Sequence, residues 1–223
     1  MSRQNIGLVI FDCDGVLIDS EPIASRTLAT ALQDAGIAIS AEEALRVFTG
    51  NSEPAIRRMC ADDYGLADVD GTFSKWHEAL KHAFATDLLP MHGMVDLVAQ
   101  LDRPKCVASN SRTRRLQQSL GNTALWEIFS PHIYSAEMVD RPKPAPDLLL
   151  HCADQLGVEP DACVMIDDSA HGIAAAHAAG MRSIGFVDPN DPRPGRPEAL
   201  ERAGADHVVT GATALAEVLG QMA

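Results

Sequence analysis

Two carboxylates near the start of the chain, Asp12 and Asp14, have a spacing that could do chemistry. They follow Leu8-Val9-Ile10-Phe11, a short apolar run typical of a buried parallel strand. Residues two apart on an extended chain point to the same side, so the two carboxylates can converge while Cys13 points elsewhere. Two like charges this close resist joint ionisation unless a cation intervenes or one group holds a proton. The pair therefore calls for a bound metal.

An ordinary turn is the alternative, because an Asp-Gly dipeptide such as Asp14-Gly15 is common in hairpins. A hairpin needs a second alternating strand, whereas residues 18–22 break off into what looks like a helix start, with Pro22 suited to a first helical position. This favours a strand that ends in polar groups. In an open α/β sheet, ligands bind outside the carboxyl ends of the strands.

Two further segments could bind an anion. Ser109-Asn110-Ser111 lies between a predicted strand and a predicted helix, so its hydroxyls and backbone N–H groups could hold one, although a simple helix cap explains the same residues. Lys143 lies in residues 141–147, where three prolines fix the backbone around one lysine. A surface loop could look like this, but a stiffened loop loses less entropy when its cation meets a phosphate.

Asp167 and Asp168 follow another apolar run, residues 162–166. Adjacent carboxylates at a strand end are costly without a cation, although one could cap the next helix and the other could be a surface charge. Combined with Asp12 and Asp14, they supply the hard oxygen ligands that Mg²⁺ prefers. Four strand ends thus offer one coherent set of polar groups.

Several other kinds of site have no sequence signature here. The eight histidines show no paired spacing for zinc. No serine lies in a nucleophile elbow, and the glycines form neither a dinucleotide fingerprint nor a P-loop. The five cysteines form no close-spaced pair, and we expect them to be reduced and structural.

The elements that position these residues follow a simple order. From about residue 94 onward, strands alternate with helices, which predicts an α/β fold with a doubly wound parallel sheet. Residues 22–86 instead read as helix after helix. We therefore predict a core domain, residues 1–17 and 90–223, and an all-helical cap domain, residues 18–89. Because the insertion begins directly after the carboxylate pair, we expect it to act as a lid.

Composition and charge limit the partners. The 223 residues are 46% apolar and 22% charged, which is ordinary globular usage. The formal net charge is −13 and no long basic tract occurs, which argues against nucleic acid or an anionic membrane as a partner. The one basic cluster, Arg112, Arg114 and Arg115, reads as a solvated helix face. Neither a membrane-span run nor a secretory pattern is found, so we expect a cytoplasmic protein.

The chain resembles the phosphatases of the haloacid dehalogenase superfamily, in the β-phosphoglucomutase-like branch with a helical cap. The resemblance implies a Rossmann-like core with that cap, Mg²⁺ as cofactor and a small-molecule phosphate ester as substrate. We expect no nucleic acid or membrane partner, and a monomer. The matching motifs span nearly the whole chain in the family's order: Asp12-Cys13-Asp14-Gly15-Val16, Ser109-Asn110, Lys143-Pro144-Ala145-Pro146-Asp147 and Asp167-Asp168-Ser169-Ala170-His171-Gly172.

The resemblance also implies a role for each site residue. Asp12 would be the nucleophile that forms an aspartyl-phosphate. Asp14 would protonate the leaving oxygen and later deprotonate the attacking water. Mg²⁺ would be held by Asp12, the backbone carbonyl of Asp14, and Asp168, with Asp167 as a further ligand or its support. The transferring phosphoryl oxygens would be bound by Ser109, the backbone of Asn110, and Lys143.

Hydrolysis and mutase chemistry are both open to this family. Haloacid dehalogenases and phosphonoacetaldehyde hydrolases lack an aspartate at position 14, so phosphate-ester chemistry is favoured. In the sugar-phosphate mutase, a cap histidine and a cap arginine anchor a second phosphate, whereas this chain has Ala24 and Glu53 at those places. Glu53 would repel a second phosphate, which favours hydrolysis, but Arg57 or Arg58 could compensate and keeps the mutase as the alternative.

The motifs are most similar to those of bacterial sugar-phosphate phosphatases of the 6-phosphogluconate type. A non-catalytic binding module that has kept the fold is a hypothesis of another class. Loss of Asp12 or Asp14 would have signalled it, and both are present.

Overall fold

A computed structural model describes residues 5–51, 53–191 and 193–222. Within these residues, six strands form one parallel sheet in the order β3-β2-β1-β4-β5-β6. The predicted α/β class with a parallel sheet is confirmed. The strands are β1 (Leu8–Phe11), β2 (Lys105–Ser109), β3 (Ile133–Ser135), β4 (Cys163–Asp167), β5 (Arg182–Val187) and β6 (His207–Thr210).

Helices cover the sheet and form the insertion. Helices α1 to α4 lie between β1 and β2 in the chain, and the others alternate with the later strands. Their bounds are α1 (Glu21–Asp34), α2 (Ala41–Phe48), α3 (Glu53–Asp62), α4 (Val69–Asp87), α5 (Met94–Gln100), α6 (Thr113–Leu120), α7 (Ala124–Phe129), α8 (Asp147–Leu156), α9 (Ala170–Ala178), α10 (Arg196–Arg202) and α11 (Gly211–Gln221).

The chain divides into two compact units. One is formed by Met1–Ile18 and Pro90–Ala223, and the other by Asp19–Leu89. Ile18 belongs to the first because it forms β-bridges to Asp14 and Pro90. In the second unit, α1 packs against α2 and α4, and Trp76 Nε1 donates a hydrogen bond of 3.1 Å to Thr27 Oγ1.

The central strand of the sheet is completely buried in the core unit. All four residues of β1 are completely buried, because β2 and β4 flank the strand and helices cover its faces. A strand buried on both faces has no polar position, which explains its continuous apolar sequence. Each buried Leu, Ile or Phe side chain contributes about 1.5–3 kcal/mol of transfer free energy.

Helix starts agree with the sequence at some places and differ at others. Ser169 caps α9 by accepting a hydrogen bond from Gly172 N, and Ser40 caps α2 by accepting one from Glu43 N. A simple helix cap does not explain residues 109–111, because α6 begins at Thr113 and Arg112 occupies the cap position. Two short helices, α7 and α10, were not predicted. None of the helices in the described residues is both long and apolar enough to cross a membrane.

Candidate active site

The parallel register brings the predicted site residues to one edge of the sheet. Phe11, the last residue of β1, lies opposite Val107 of β2 and Ile166 of β4. All three strands run in the same direction, so the residues that follow them meet at the carboxyl edge. Asp12, Ser109 and Asp167 are the side chains delivered there.

Lys143 joins two of these carboxylates. Its Nζ lies 2.9 Å from Asp12 Oδ1 and 2.7 Å from Asp167 Oδ2. The side chain of Lys143 is 3% exposed, that of Asp167 is 0% exposed and that of Asp12 is 14% exposed. Charge-assisted hydrogen bonds at this depth are strong, but they must offset the desolvation of three ionisable groups.

Burial and charge act in opposite directions on this cluster. Burial raises the pKa of Asp12 to about 7; the nearby ammonium of Lys143 opposes this shift and the carboxylate of Asp167 adds to it. Burial alone would lower the pKa of Lys143, but Asp12 and Asp167 raise it above its ordinary value. The lysine is therefore a permanent cation beside Asp12.

Asn110 fixes the backbone of Lys143. Asn110 Nδ2 donates to the carbonyl oxygen of Lys143 at 2.9 Å, and Asn110 Oδ1 accepts from Lys143 N at 3.1 Å. The same loop is closed by Arg141, whose guanidinium donates two hydrogen bonds of 3.0 and 2.8 Å to Asp147. From the sequence, only the backbone of Asn110 was expected to have a role. The structure adds a second role, because the Asn110 side chain holds the backbone of Lys143.

Three carboxylates converge in a way that suits a divalent cation. Asp12, Asp167 and Asp168 each offer an oxygen, and these oxygens lie within 4.8 Å of one another. Lys143 and Arg196 contribute two positive charges against the three negative ones. One negative charge is thus left over, and hard oxygen donors are the ligands that Mg²⁺ prefers.

Glycines make room for these carboxylates. Gly15 has φ +77°, and a Cβ built there would lie 2.8 Å from Asp168 Cγ. A Cβ on Gly172 would lie 1.8 Å from Asp167 Oδ2. Asp167 Oδ1 accepts hydrogen bonds from Ser169 N at 2.9 Å and from Ser169 Oγ at 2.6 Å, so the start of α9 holds this carboxylate in place. The residues present therefore fit a metal ion at this edge.

Asp14 has partners of its own. Arg115 Nη2 lies 2.8 Å from Asp14 Oδ1, and Ser111 Oγ donates to Asp14 Oδ2 at 3.0 Å. The Asp14 carboxylate is not part of the three-carboxylate group found among the described residues. Arg115 was predicted to lie on a solvated helix face, and its pairing with Asp14 was missed. Nothing local in the sequence indicates this pairing, because it joins residues 101 positions apart.

Arg196 of α10 holds Asp168. Its Nη2 donates to the backbone carbonyl of Asp168 and lies 3.3 Å from Asp168 Oδ2, while its Nε lies 3.2 Å from Asp191 Oδ2. This arginine was also missed, since it follows a proline-rich stretch with no helical periodicity.

The remaining predicted residues lie nearby. Ser109 is buried, and its Oγ accepts a hydrogen bond from Ser111 N at 3.1 Å. Cys13 is completely buried, and burial together with the charges of Asp14 and Asp12 raises the pKa of its thiol well above the ordinary value. The thiol therefore stays protonated, which excludes it as a nucleophile.

The helical unit contains a polar cluster of its own. Glu53 Oε1 accepts from Arg57 Nε at 2.9 Å, and Glu53 Oε2 lies 3.0 Å from His77 Nε2. Burial would raise the pKa of Glu53, but these hydrogen bonds lower it below its ordinary value. Arg57 also contacts Asp70 at 2.8 Å and lies 4.5 Å above the centre of the Phe73 ring. Its guanidinium is thus already engaged by two carboxylates.

Comparison with known proteins finds a matching family. The model of the haloacid dehalogenase-like hydrolase family matches residues 9–186. A 6-phosphogluconate phosphatase from Escherichia coli K12 is 32% identical over 193 residues, which cover 86% of this chain and 86% of that protein. Hexitol phosphatase B from the same organism is 32% identical over 203 residues, covering 85% of this chain and 89% of that protein.

Among solved structures, a HAD family hydrolase from Deinococcus radiodurans R1, with bound phosphate and sodium, has a TM-score of 0.88 and 30% identity, covering 98% of this chain and 97% of that one. The family match spans most of the chain and includes Asp12, Lys143 and Asp168. Because this match covers more than half of the chain, the chain belongs to the haloacid dehalogenase-like hydrolases.

Proposed function

We propose that this chain is a Mg²⁺-dependent phosphatase that hydrolyses a small phosphorylated metabolite through an aspartyl-phosphate on Asp12. The substrate class we propose is a sugar or sugar-acid phosphate such as 6-phosphogluconate. The observation that carries the proposal is the contact of Asp12 with the buried Lys143 beside two further carboxylates. A carboxylate at a strand end with a fixed cation next to it is suited to attack a phosphoryl group whose oxygens that cation can bind.

The proposed mechanism has two displacements at phosphorus. An Asp12 oxygen attacks phosphorus, the bond to the ester oxygen breaks, and Asp14 gives its proton to that leaving oxygen. Asp14 then takes a proton from water, the water oxygen attacks phosphorus, and the bond to Asp12 breaks. Lys143, Ser109 and the backbone of Asn110 bind the phosphoryl oxygens throughout.

The metal part of the proposal assigns the cation to Asp12, Asp167, Asp168 and the backbone carbonyl of Asp14. When bound, Mg²⁺ would neutralise negative charge on the transferring phosphoryl group. In this scheme Asp167 would hold the metal and also contact Lys143 and Ser169.

Two relatives support phosphorylated sugars and related compounds as the substrate class. One is named a 6-phosphogluconate phosphatase and the other a hexitol phosphatase, and each aligns with more than four fifths of this chain at 32% identity. Their names differ in the organic part of the substrate, so that part is left to experiment. We also propose that the helical unit, Asp19–Leu89, acts as the cap domain of the enzyme.

The mutase alternative is disfavoured by the surroundings of Glu53. A mutase must bind a second phosphate. Arg57 could have offset the repulsion between that phosphate and Glu53. Arg57 instead pairs with Glu53 and Asp70, so of the two arginines the exposed Arg58 alone could take that role. We therefore propose water, rather than a sugar hydroxyl, as the acceptor.

The test is phosphate release from a panel of sugar, sugar-acid and sugar-alcohol phosphates, in Mg²⁺ and again in EDTA. We expect metal-dependent release from one or a few members by the wild type, and none by Asp12→Asn, whose circular dichroism should match the wild type. Conversion of β-glucose 1-phosphate to glucose 6-phosphate without release would establish the mutase instead. Release that persists in Asp12→Asn would disprove the nucleophile assignment.

A further inference from the structure

We propose that Arg115 is a positioning residue that orients the Asp14 carboxyl group for proton transfer to the leaving oxygen. The inference rests on the proposed function, in which Asp14 is the general acid and base. Arg115 lies outside the family motifs. Arg112 and Arg114 are the same residue type close by in the sequence, so only its surroundings distinguish Arg115.

Two side chains hold the Asp14 carboxylate. One carboxylate oxygen contacts Arg115 Nη2 at 2.8 Å, and the other accepts from Ser111 Oγ at 3.0 Å. Two contacts on two different oxygens fix both the position and the plane of a carboxylate. The group is thus held from two points, although its side chain is 26% exposed.

The start of α6 brings Arg115 to Asp14. It is the third residue of α6, and long side chains on a helix point back toward its N-terminus. That direction leads from α6 to the loop at the carboxyl end of β2. The buried Leu116 and Leu120 anchor the helix to the core, so the guanidinium is placed by packing.

The loop that carries Ser111 is equally constrained. Ser135 Oγ donates to the carbonyl oxygen of Ser111 at 2.8 Å, and Thr113 N donates to Glu137 Oε2 at 3.0 Å. Both anchors of Asp14 therefore lie on a rigid segment. Arg114, by contrast, is exposed.

The Asp14 carboxylate lies apart from the three-carboxylate group. Asp14 is two residues from Asp12, yet its carboxylate is directed to Arg115 and does not join the group of Asp12, Asp167 and Asp168. A carboxylate that coordinates a cation holds a proton poorly, so a group that exchanges a proton with the substrate should lie apart from the metal ligands. Arg115 supplies the attraction that keeps Asp14 out of that group.

A half-exposed ion pair contributes little to stability, since exposed pairs are typically worth about 0.2–1 kcal/mol. Arg115 is 38% exposed as a side chain, so its removal should leave the fold intact. The effect we expect is on the rate of the step that needs the Asp14 proton.

The test compares two leaving groups in Arg115→Met, Arg115→Lys and the control Arg114→Met. Rapid-quench measurement gives the rate at which Asp12 is phosphorylated by the best sugar phosphate of the panel and by p-nitrophenyl phosphate, whose phenolate leaves without a proton. General acid catalysis contributes about 10²–10⁴-fold. We therefore expect Arg115→Met to slow phosphorylation by the sugar phosphate about 10- to 100-fold, and by p-nitrophenyl phosphate less than about threefold.

Arg115→Lys should recover part of the lost rate, and Arg114→Met should behave as the wild type. Equal slowing with both leaving groups, or no slowing with either, would overturn the inference. If Arg115→Met fails to fold, Arg115→Lys is judged by the same leaving-group comparison. A wild type that hydrolyses no ester would refute the proposed function itself, and this inference with it.

Discussion

Lys143 governs the charge balance of the site at the scale of single residues. Its buried ammonium contacts Asp12 and Asp167, whose carboxylates otherwise face each other across the carboxyl edge. Removing one partner of a buried ion pair leaves an uncompensated charge, which is more harmful than never having had the pair.

We expect Lys143→Met to lose activity and to lower the free energy of unfolding by about 3–5 kcal/mol in metal-free buffer. The cause is the buried negative charge left on Asp167 and Asp12. Urea unfolding measures the loss, and Lys81→Met at an exposed lysine of the helical unit is the control, expected to stay within about 0.5 kcal/mol of the wild type. A Lys143→Met protein as stable as that control would contradict the buried ion pair.

Some residues of the site could be identified from local sequence pattern and others could not. Asp12, Lys143 and Asp167 were singled out because each follows a strand or lies in a stiffened loop, and such positions are read from local pattern. Arg115 and Arg196 were not, since their contacts to Asp14 and Asp168 join residues 101 and 28 positions apart. Nothing local distinguishes Arg115 from Arg114 until the register of β1 and β2 is known.

At the scale of elements, α9 acts as the support of Asp167. The helix begins with Ser169 donating to the carboxylate, and its third residue, Gly172, leaves no room for a side chain beside it. That a helix follows this strand was predicted from the alternation of strands and helices. The close approach of Gly172 was not, because it depends on how the helix meets β4.

We expect Gly172→Ala to be destabilising by about 1–3 kcal/mol, even though alanine favours a helix. A Cβ there would lie 1.8 Å from Asp167 Oδ2 and would force the carboxylate away from Lys143. Gly220→Ala in α11 is the matched control, because a Cβ there meets nothing within 4 Å. That control should gain up to about 1 kcal/mol.

Urea unfolding in EDTA measures both glycine variants, and calorimetric titration with Mg²⁺ measures whether displacement of Asp167 weakens metal binding. The two substitutions should have opposite signs in stability, and only Gly172→Ala should bind Mg²⁺ more weakly. If Gly172→Ala were stabilised as Gly220→Ala is, the close packing of α9 against Asp167 would be wrong.

The short helices illustrate where element prediction ends. The six residues of α7 and the seven of α10 are too short for a helical period to stand out. α10 begins after Gly195, which has φ +73°, and its Arg196 reaches Asp168. Tertiary contacts, rather than propensity, account for such segments.

For the whole molecule, the decisive property is the concentration of negative charge. The chain has a formal net charge of −13, and three of its carboxylates converge within 4.8 Å. The acidic composition is read directly from the sequence, and the parallel sheet was predicted from it. Strand order and register, which determine that these particular carboxylates meet, are set by packing over long sequence separations.

If the three-carboxylate group binds Mg²⁺ in the folded protein only, the metal must stabilise the fold by mass action. Free Mg²⁺ at 100 times its dissociation constant would add about 2.7 kcal/mol, which corresponds to about 5–10 °C in the melting temperature of a chain of this size. We expect this rise in the wild type by differential scanning calorimetry, and we expect Asp168→Asn to lose most of it because one ligand oxygen has lost its charge. Gly220→Ala should keep the full rise, since α11 contributes no ligand to the group. An equal Mg²⁺ effect in Asp168→Asn and the wild type would mean that the cation binds elsewhere on this acidic protein, and that Asp168 does not hold it.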